Sequence, residues 1–194
     1  RAEADGSTRF SLHDASSWTV PAPGKHNALN ASIAVHVARA LGIADRDIQL
    51  GLDSYRPPPM RFEPVEAGGM TFYNDAYNAS PESVEAALDT FASLSIDPAR
   101  RRVVVLGDML EQGDLAHRLH AEGLERAMAI MPGLLITCGP SYHAIGTADH
   151  AYETLSDEVA GHLEPGDVVL LKGSRGIGLE RIIDSVRSQS QDAP

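Results

Sequence analysis

Four short apolar runs, MTFYND at 70–75, RVVVL at 102–106, LLITC at 134–138 and VVLL at 168–171, constrain this chain more than any other feature. Each is too short for a buried helix, is rich in β-branched or aromatic residues or in leucine, and is bounded by Gly, Asp or Asn, which is how strands look. Between them lie segments with helical periodicity: Pro81–Leu94, with Ser80 as N-cap and Pro81 at the first helical position, Leu115–Ile130, a short stretch near Tyr142, and Ser156–Leu163. A last helix is expected over Leu179–Val186. Apolar strands alternating with amphipathic helices predict an α/β fold, a mostly parallel sheet with helices on both faces. In such sheets ligands sit beyond the carboxyl ends of the strands, so the residues that follow each run are where chemistry is expected.

The first sixty residues have a different pattern. Thr8–His13 and Ser17–Val20 flank Asp14-Ala15-Ser16 and read as a hairpin. From Asn27 to Leu41, the residues Leu29, Ile33, Val37 and Leu41 recur every four positions, as one helical face requires, and Gly42 supplies a C-cap. A second helix is expected from Asp45 to about Leu52. RPPPMRF then ends it, because proline removes a donor and fixes φ. The domain boundary is placed there, dividing 1–59 from 60–194.

A formal charge of −11 and a pI near 5.0 argue against a nucleic-acid partner, since binding a polyanion needs clustered Lys and Arg. The one basic run, Arg100–Arg102, reads as a solvated loop before a strand. Cys138 is the only cysteine, so no internal disulfide forms and a thiolate metal cluster lacks ligands. No run of about 18 apolar residues and no signal-peptide pattern is present, which predicts a soluble, cytoplasmic chain without membrane contact. It opens on Arg1 rather than Met and is expected to be cut from a larger protein. His117 and His120, at i and i+3, have no third ligand nearby, and no metal site is expected from them.

Polar clusters follow three of the strands. In NDAYNASP, residues 74–81, Asp75, Tyr77 and Asn78 stand between a strand and a helix N-terminus, which suits a phosphate or a ribose. The same residues serve equally as a turn whose Asn and Asp satisfy backbone donors. In LGDMLEQGD, residues 106–114, Asp108 and Glu111 could face a ligand or a cation, or act only as partners of a helix dipole. In KGSRGIG, residues 172–178, Lys172, Ser174 and Arg175 lie in a Gly-rich turn that could bind an anion. It is not a P-loop, because no G-x-x-x-x-G-K-[ST] occurs in the chain. Upstream, GKHNALN opens a helix with His26, Asn27 and Asn30, whose amides suit an adenine edge or a helix cap.

Taken in order, GKHNALN, the Arg of PPMRFE, NDAYNASPESV, VLGDMLEQG and LLKGSRGIGLERI resemble the Mur ligase family over nearly the whole chain. The resemblance implies the end of a central ATPase domain, a small α+β remnant at 1–59, followed by a Rossmann-like carboxy-terminal domain at 60–194. It implies His26, Asn27 and Asn30 near adenine, Arg61 on the phosphates, Asp75 on the ribose, and Tyr77 and Asn78 beside the triphosphate. Lys172, Ser174, Arg175 and Asp108 would serve the incoming substrate. Within the family, DAYNASP, GDMLEQG and KGSR are similar to the branch that joins D-alanyl-D-alanine to UDP-MurNAc-tripeptide with ATP and Mg²⁺, acting as a monomer on small molecules. Ser80 stands where the family usually has Asn. The phosphate-binding Lys and the metal ligands of the central domain have no counterpart here, so the resemblance assigns this stretch no catalytic residue and no activity of its own. Alternatives are a folylpolyglutamate- or cyanophycin-type ligase, or a non-catalytic binding module of the same fold.

Overall fold

The computed structural model describes residues 7–191; the first six residues and the end of the polar tail, Asp192–Pro194, lie outside the described residues. Two compact units divide the chain: one runs to Pro57 and includes Asp89–Ser95, the other holds Pro58–Leu88 and the residues from Ile96 onward.

In the first unit, β1 (Thr8–Ser11) pairs antiparallel with β2 (Ser17–Val20), Thr8 lying opposite Val20. Their connection is fixed by Asp14, whose Oδ1 accepts from both the backbone N–H and the hydroxyl of Ser16, a local bond that helps a short loop reverse. Two helices follow, α1 (Lys25–Ala40) and α2 (Asp45–Asp53). Gly42, at φ 79°, ends α1 with its N–H on the carbonyl of Arg39. The apolar stripe that marks α1 in the sequence is not its buried face. Leu29, Ile33, Val37 and Leu41 are 63%, 55%, 55% and 75% exposed, while Ala31 and Val35 are buried. Val35 meets Trp18 and Ile48, and Ala31 meets Val20 and Ala22. The small residues line the contact because they let the hairpin and α2 approach the helix axis closely.

The remaining elements are β3 (Glu63–Ala67), β4 (Met70–Asp75), α3 (Pro81–Ser93), β5 (Arg102–Gly107), α4 (Ala116–Ala129), β6 (Leu134–Cys138), α5 (Pro140–Ile145), β7 (His150–Tyr152), α6 (Glu158–Gly161), β8 (Val168–Lys172) and α7 (Arg181–Gln191). They build a six-stranded sheet in the order β3-β4-β8-β5-β6-β7, parallel except for β3. The sheet has two strands beyond those expected from the sequence. Strand β3 carries Pro64, which an edge strand tolerates because one side needs no donor, and it reaches β4 through Gly68 and Gly69, both at positive φ as a tight hairpin requires. Strand β7 is only three residues long, on the other edge.

Both faces are covered. Phe72, Val103, Val105, Ile136, Val169 and Leu171 pack with Val159 and Ala160 of α6 and with Ile182, Ile183 and Val186 of α7. The intervening Val104, Leu106, Leu135 and Leu170 point the other way, since side chains alternate along a strand. Leu88 of α3, Leu124 of α4 and Tyr142 of α5 are buried outside that first cluster. Burial on both sides is why these strands read as continuous apolar runs. Among the described residues no helix is long and apolar enough to cross a membrane.

Strand β8, last in sequence, inserts between β4 and β5. The chain therefore reverses its direction of travel across the sheet at β8, and in sheets of this kind ligands sit beyond the carboxyl ends of the strands at such a reversal, here those of β4, β8 and β5. As a check on the packing of α1, Val35→Ala is expected to lower the unfolding free energy by about 1–3 kcal/mol. Ile33→Ser should change it by less than about 0.5 kcal/mol. Urea titrations of both variants would show it, and equal losses would contradict the burial assigned to this helix.

Candidate functional site

The parallel register sets Asp75 beside Lys172, each the last residue of its strand. Lys172 Nζ lies 2.8 Å from Asp75 Oδ2 and donates to the carbonyl of Asn78, also at 2.8 Å. The lysine side chain is 3% exposed and the aspartate 18%. Asp75 Oδ1 accepts the backbone N–H of Phe62 at 3.1 Å. The two residues that the family resemblance gave to different substrates are thus one ion pair, which ties β8 to β4, to the turn after β4 and to the segment before β3.

That segment presents Arg61 from an unusual backbone. Met60 and Phe62, on either side of it, adopt φ values of 60° and 54°, a region non-glycine residues seldom occupy. The Met60 carbonyl accepts the Tyr77 N–H, the Met60 N–H donates to the Glu63 carboxylate, and Phe62 is buried with its ring 5.1 Å from that of Tyr73. Arg61 is exposed, its guanidinium carbon 4.3 Å from the centre of the Tyr77 ring; that of Arg175 lies 5.6 Å from the same ring. Among the described residues neither arginine has a carboxylate within ion-pair distance.

The turn after β5 and the turn after β8 meet backbone to backbone. A Cβ on Gly173 would come within 2.9 Å of Gly107 Cα, so position 173 needs glycine, while a Cβ on Gly107 would meet Gly173 Cα at 3.3 Å. Ser174 fastens the contact: its N–H donates to the Asp108 carbonyl at 3.1 Å, and its hydroxyl accepts the Leu110 N–H at 3.0 Å. Asp108, expected among the substrate-binding groups, is 1% exposed. Its two oxygens accept the N–H groups of Tyr142 and Ser141, at 3.0 and 2.8 Å, at the start of α5. The structure corrects that expectation: the carboxylate is enclosed and serves as an internal anchor for the α5 turn, where the free amides of a helix start attract it. Glu111, in contrast, is exposed at positive φ. His120 is also internal. Its Nε2 accepts the Met109 N–H at 2.9 Å and its Nδ1 faces the Ala116 carbonyl at 2.6 Å, a pattern that fits the Nδ1–H tautomer. Cys138 is buried, and desolvation first, then the charge of Asp108, pushes its thiol up to about 12, so it is not a nucleophile.

His26, Asn27 and Asn30 belong to the other unit. Asn27 Nδ2 donates to the Pro23 carbonyl at 2.7 Å, which secures the start of α1, while Asn30 is exposed. Asn27 and Asn30 border a cavity of about 150 Å³ whose other walls are Val20, Ala31, Ala34, Leu52 and Tyr55. Tyr55 was not legible as a residue of this cavity, since it stands alone beside the proline run. Ser80 caps α3 as expected, its hydroxyl accepting the Ser83 N–H at 3.3 Å while the Ser83 hydroxyl accepts the Ser80 N–H at 2.8 Å.

The profile of the Mur ligase, glutamate ligase domain matches residues 60–175. The chain belongs to the Mur ligase family. Its relatives include the UDP-N-acetylmuramoyl-tripeptide–D-alanyl-D-alanine ligases of Bacillus subtilis, 32% identical over 93% of this chain and 42% of the relative, and of Treponema pallidum, 34% identical over 88% and 39%. The MurF ligase of Thermotoga maritima, solved in complex with ADP, superposes with a TM-score of 0.80 at 24% identity, covering 96% of this chain and 44% of that one, and so shares the fold. The chain spans about two fifths of the length of these Mur ligases. Because the glycine contact joins two of the motifs, Gly173→Ala is expected to lower stability by about 1–3 kcal/mol through overpacking, with no side-chain interaction removed. A thermal melt matching wild type would show that the two turns do not approach so closely.

Proposed function

We propose that this chain is the carboxy-terminal part of a cytoplasmic, ATP-dependent ligase that joins D-alanyl-D-alanine to UDP-MurNAc-tripeptide. The observation that carries the reading is the strand-end cluster of Arg61, Asp75, Tyr77, Asn78, Lys172 and Arg175 in a chain whose relatives add that dipeptide. In the complete enzyme the γ-phosphoryl group of ATP passes to an oxygen of the tripeptide's terminal carboxylate, and ADP leaves. The dipeptide nitrogen then attacks the acyl carbon, the bond to the phosphate oxygen breaks, phosphate departs and the nitrogen loses a proton. Such chemistry rests on alignment and on fixed positive charge.

This chain's share is binding and alignment. His26, Asn27 and Asn30 meet the adenine, with the cavity beside Tyr55 giving it an apolar wall. Asp75, oriented by Lys172 and the Phe62 N–H, accepts a ribose hydroxyl. Arg61 meets the phosphates, with Tyr77 and Asn78 beside them. Lys172, Ser174 and Asp108, whose polar atoms are engaged inside the protein, act through the residues they hold rather than by touching substrate. The remainder of the polypeptide would supply the P-loop and, with it, the Mg²⁺ ligands. Among the described residues no group of three or more His, Cys, Asp or Glu is placed to hold a metal, and no step assigned to this chain involves Mg²⁺. The assembled enzyme would work as a monomer on small molecules, without nucleic acid.

The test is amide formation by the full-length parent protein with ATP, UDP-MurNAc-tripeptide and a panel of amines. D-alanyl-D-alanine should be used and single amino acids such as glutamate should not; the reverse preference would place the chain with another ligase of the family. In the same protein Asp75→Asn is expected to weaken ATP binding by about 1–3 kcal/mol, the value of a charged hydrogen bond, and to change the dipeptide KM much less. The 194-residue chain by itself should release no phosphate from ATP above background.

A further inference from the structure

Two guanidinium groups converge on the Tyr77 ring, at 4.3 Å for Arg61 and 5.6 Å for Arg175. They come from opposite ends of the domain sequence, one from the strained turn before β3 and one from the turn after β8. Both are exposed, and neither is matched by a carboxylate among the described residues. Two like charges gathered on one ring repel each other, and the aromatic face offsets this only in part, because a cation over an exposed ring gains about 0.5–1 kcal/mol. The backbone of this arrangement is nonetheless firmly held. Met60 and Phe62 keep left-handed φ values on both sides of Arg61, with Phe62 buried and bonded to Asp75 and the Met60 carbonyl bonded to Tyr77. The Arg175 turn is fastened by Ser174 and the Gly107–Gly173 contact. Among the described residues this rigid frame holds two guanidiniums together with no carboxylate to balance them, and a guanidinium's fork of donors suits a tetrahedral or planar oxyanion.

We propose that Arg61, Tyr77 and Arg175 form a single oxyanion site, in which both arginines grip the same phosphoryl chain and Tyr77 is a positioning residue that orders them. Two formal positive charges match a phosphoryl anion better than a lone carboxylate. Arg175 therefore works beside Arg61 on the nucleotide's phosphates rather than on the carboxylate of an incoming peptide. This deepens the ligase reading and rests on it for the identity of the natural anion; the site itself is testable without catalysis.

The experiment titrates inorganic triphosphate, and separately D-alanyl-D-alanine, into the 194-residue chain by calorimetry. Wild type is compared with Arg61→Ala, Arg175→Ala, the double variant, Tyr77→Phe and Tyr77→Leu, with a melting curve for each. The expected result is triphosphate binding that either arginine substitution weakens on the order of tenfold, as the loss of a charge-assisted bond should. The double variant should lose less than the product of the two, because the arginines share one ligand. Tyr77→Phe should keep the wild-type affinity, since the ring is retained, and Tyr77→Leu should lose several-fold with an unchanged melt, which a merely structural role would not produce. No triphosphate binding by the wild-type chain would overturn the proposal. So would an Arg175→Ala variant that binds triphosphate normally but loses the dipeptide, which would return Arg175 to the carboxylate. A chain that shows the triphosphate pattern while the parent protein fails to use D-alanyl-D-alanine would refute the ligase reading and leave the oxyanion site standing.

Discussion

The ion pair between Lys172 and Asp75 is the constraint on which the rest of the site depends. An ammonium with only 3% of its side chain exposed would cost several kcal/mol if it stood alone. The parallel register of β4 and β8 offsets that cost by placing the carboxylate directly beside it, and the Asn78 carbonyl takes a second ammonium proton. The carboxylate's other oxygen then holds the Phe62 N–H, which keeps the turn around Arg61 in its left-handed form. One pair of charges thus fixes the end of two strands, the entry to α3 and the display of an arginine outside the sheet.

A second layer of contacts needs no exposed charge. Gly107 and Gly173 bring the turns after β5 and β8 within van der Waals distance, and Ser174 bonds across them. Asp108 carries the connection on to α5, and His120 holds the backbone of Met109 from α4. Residues that look like ligands in the motif are therefore the frame that sets the exposed ones.

How much of this the sequence disclosed follows from what each residue touches. The central strands were legible because both faces are buried, which leaves unbroken runs such as VVVL. Strands β3 and β7 were not, since edge strands bury little and β3 even carries Pro64. The periodicity of α1 located the helix but pointed to Leu29, Ile33, Val37 and Leu41 rather than to Ala31 and Val35, because hydrophobicity alone does not say which apolar face the neighbours reach. Asp75 and Lys172 were each visible as strand-end polar residues. Their pairing was not, because it depends on β8 inserting between β4 and β5, and a late strand's place in a sheet is set by tertiary packing. Asp108 was misjudged for the same reason: its partners at Ser141 and Tyr142 come from a different turn of the fold.

The most direct test of this ordering is a double-mutant cycle on the ion pair, read as unfolding free energy in urea. Lys172→Met alone leaves a largely enclosed carboxylate without its partner and should cost about 2–4 kcal/mol, whereas adding Asp75→Asn should recover part of that loss. If instead the two substitutions simply add, the charges do not depend on each other, and the pair cannot be what holds the strand ends and the Arg61 turn in place.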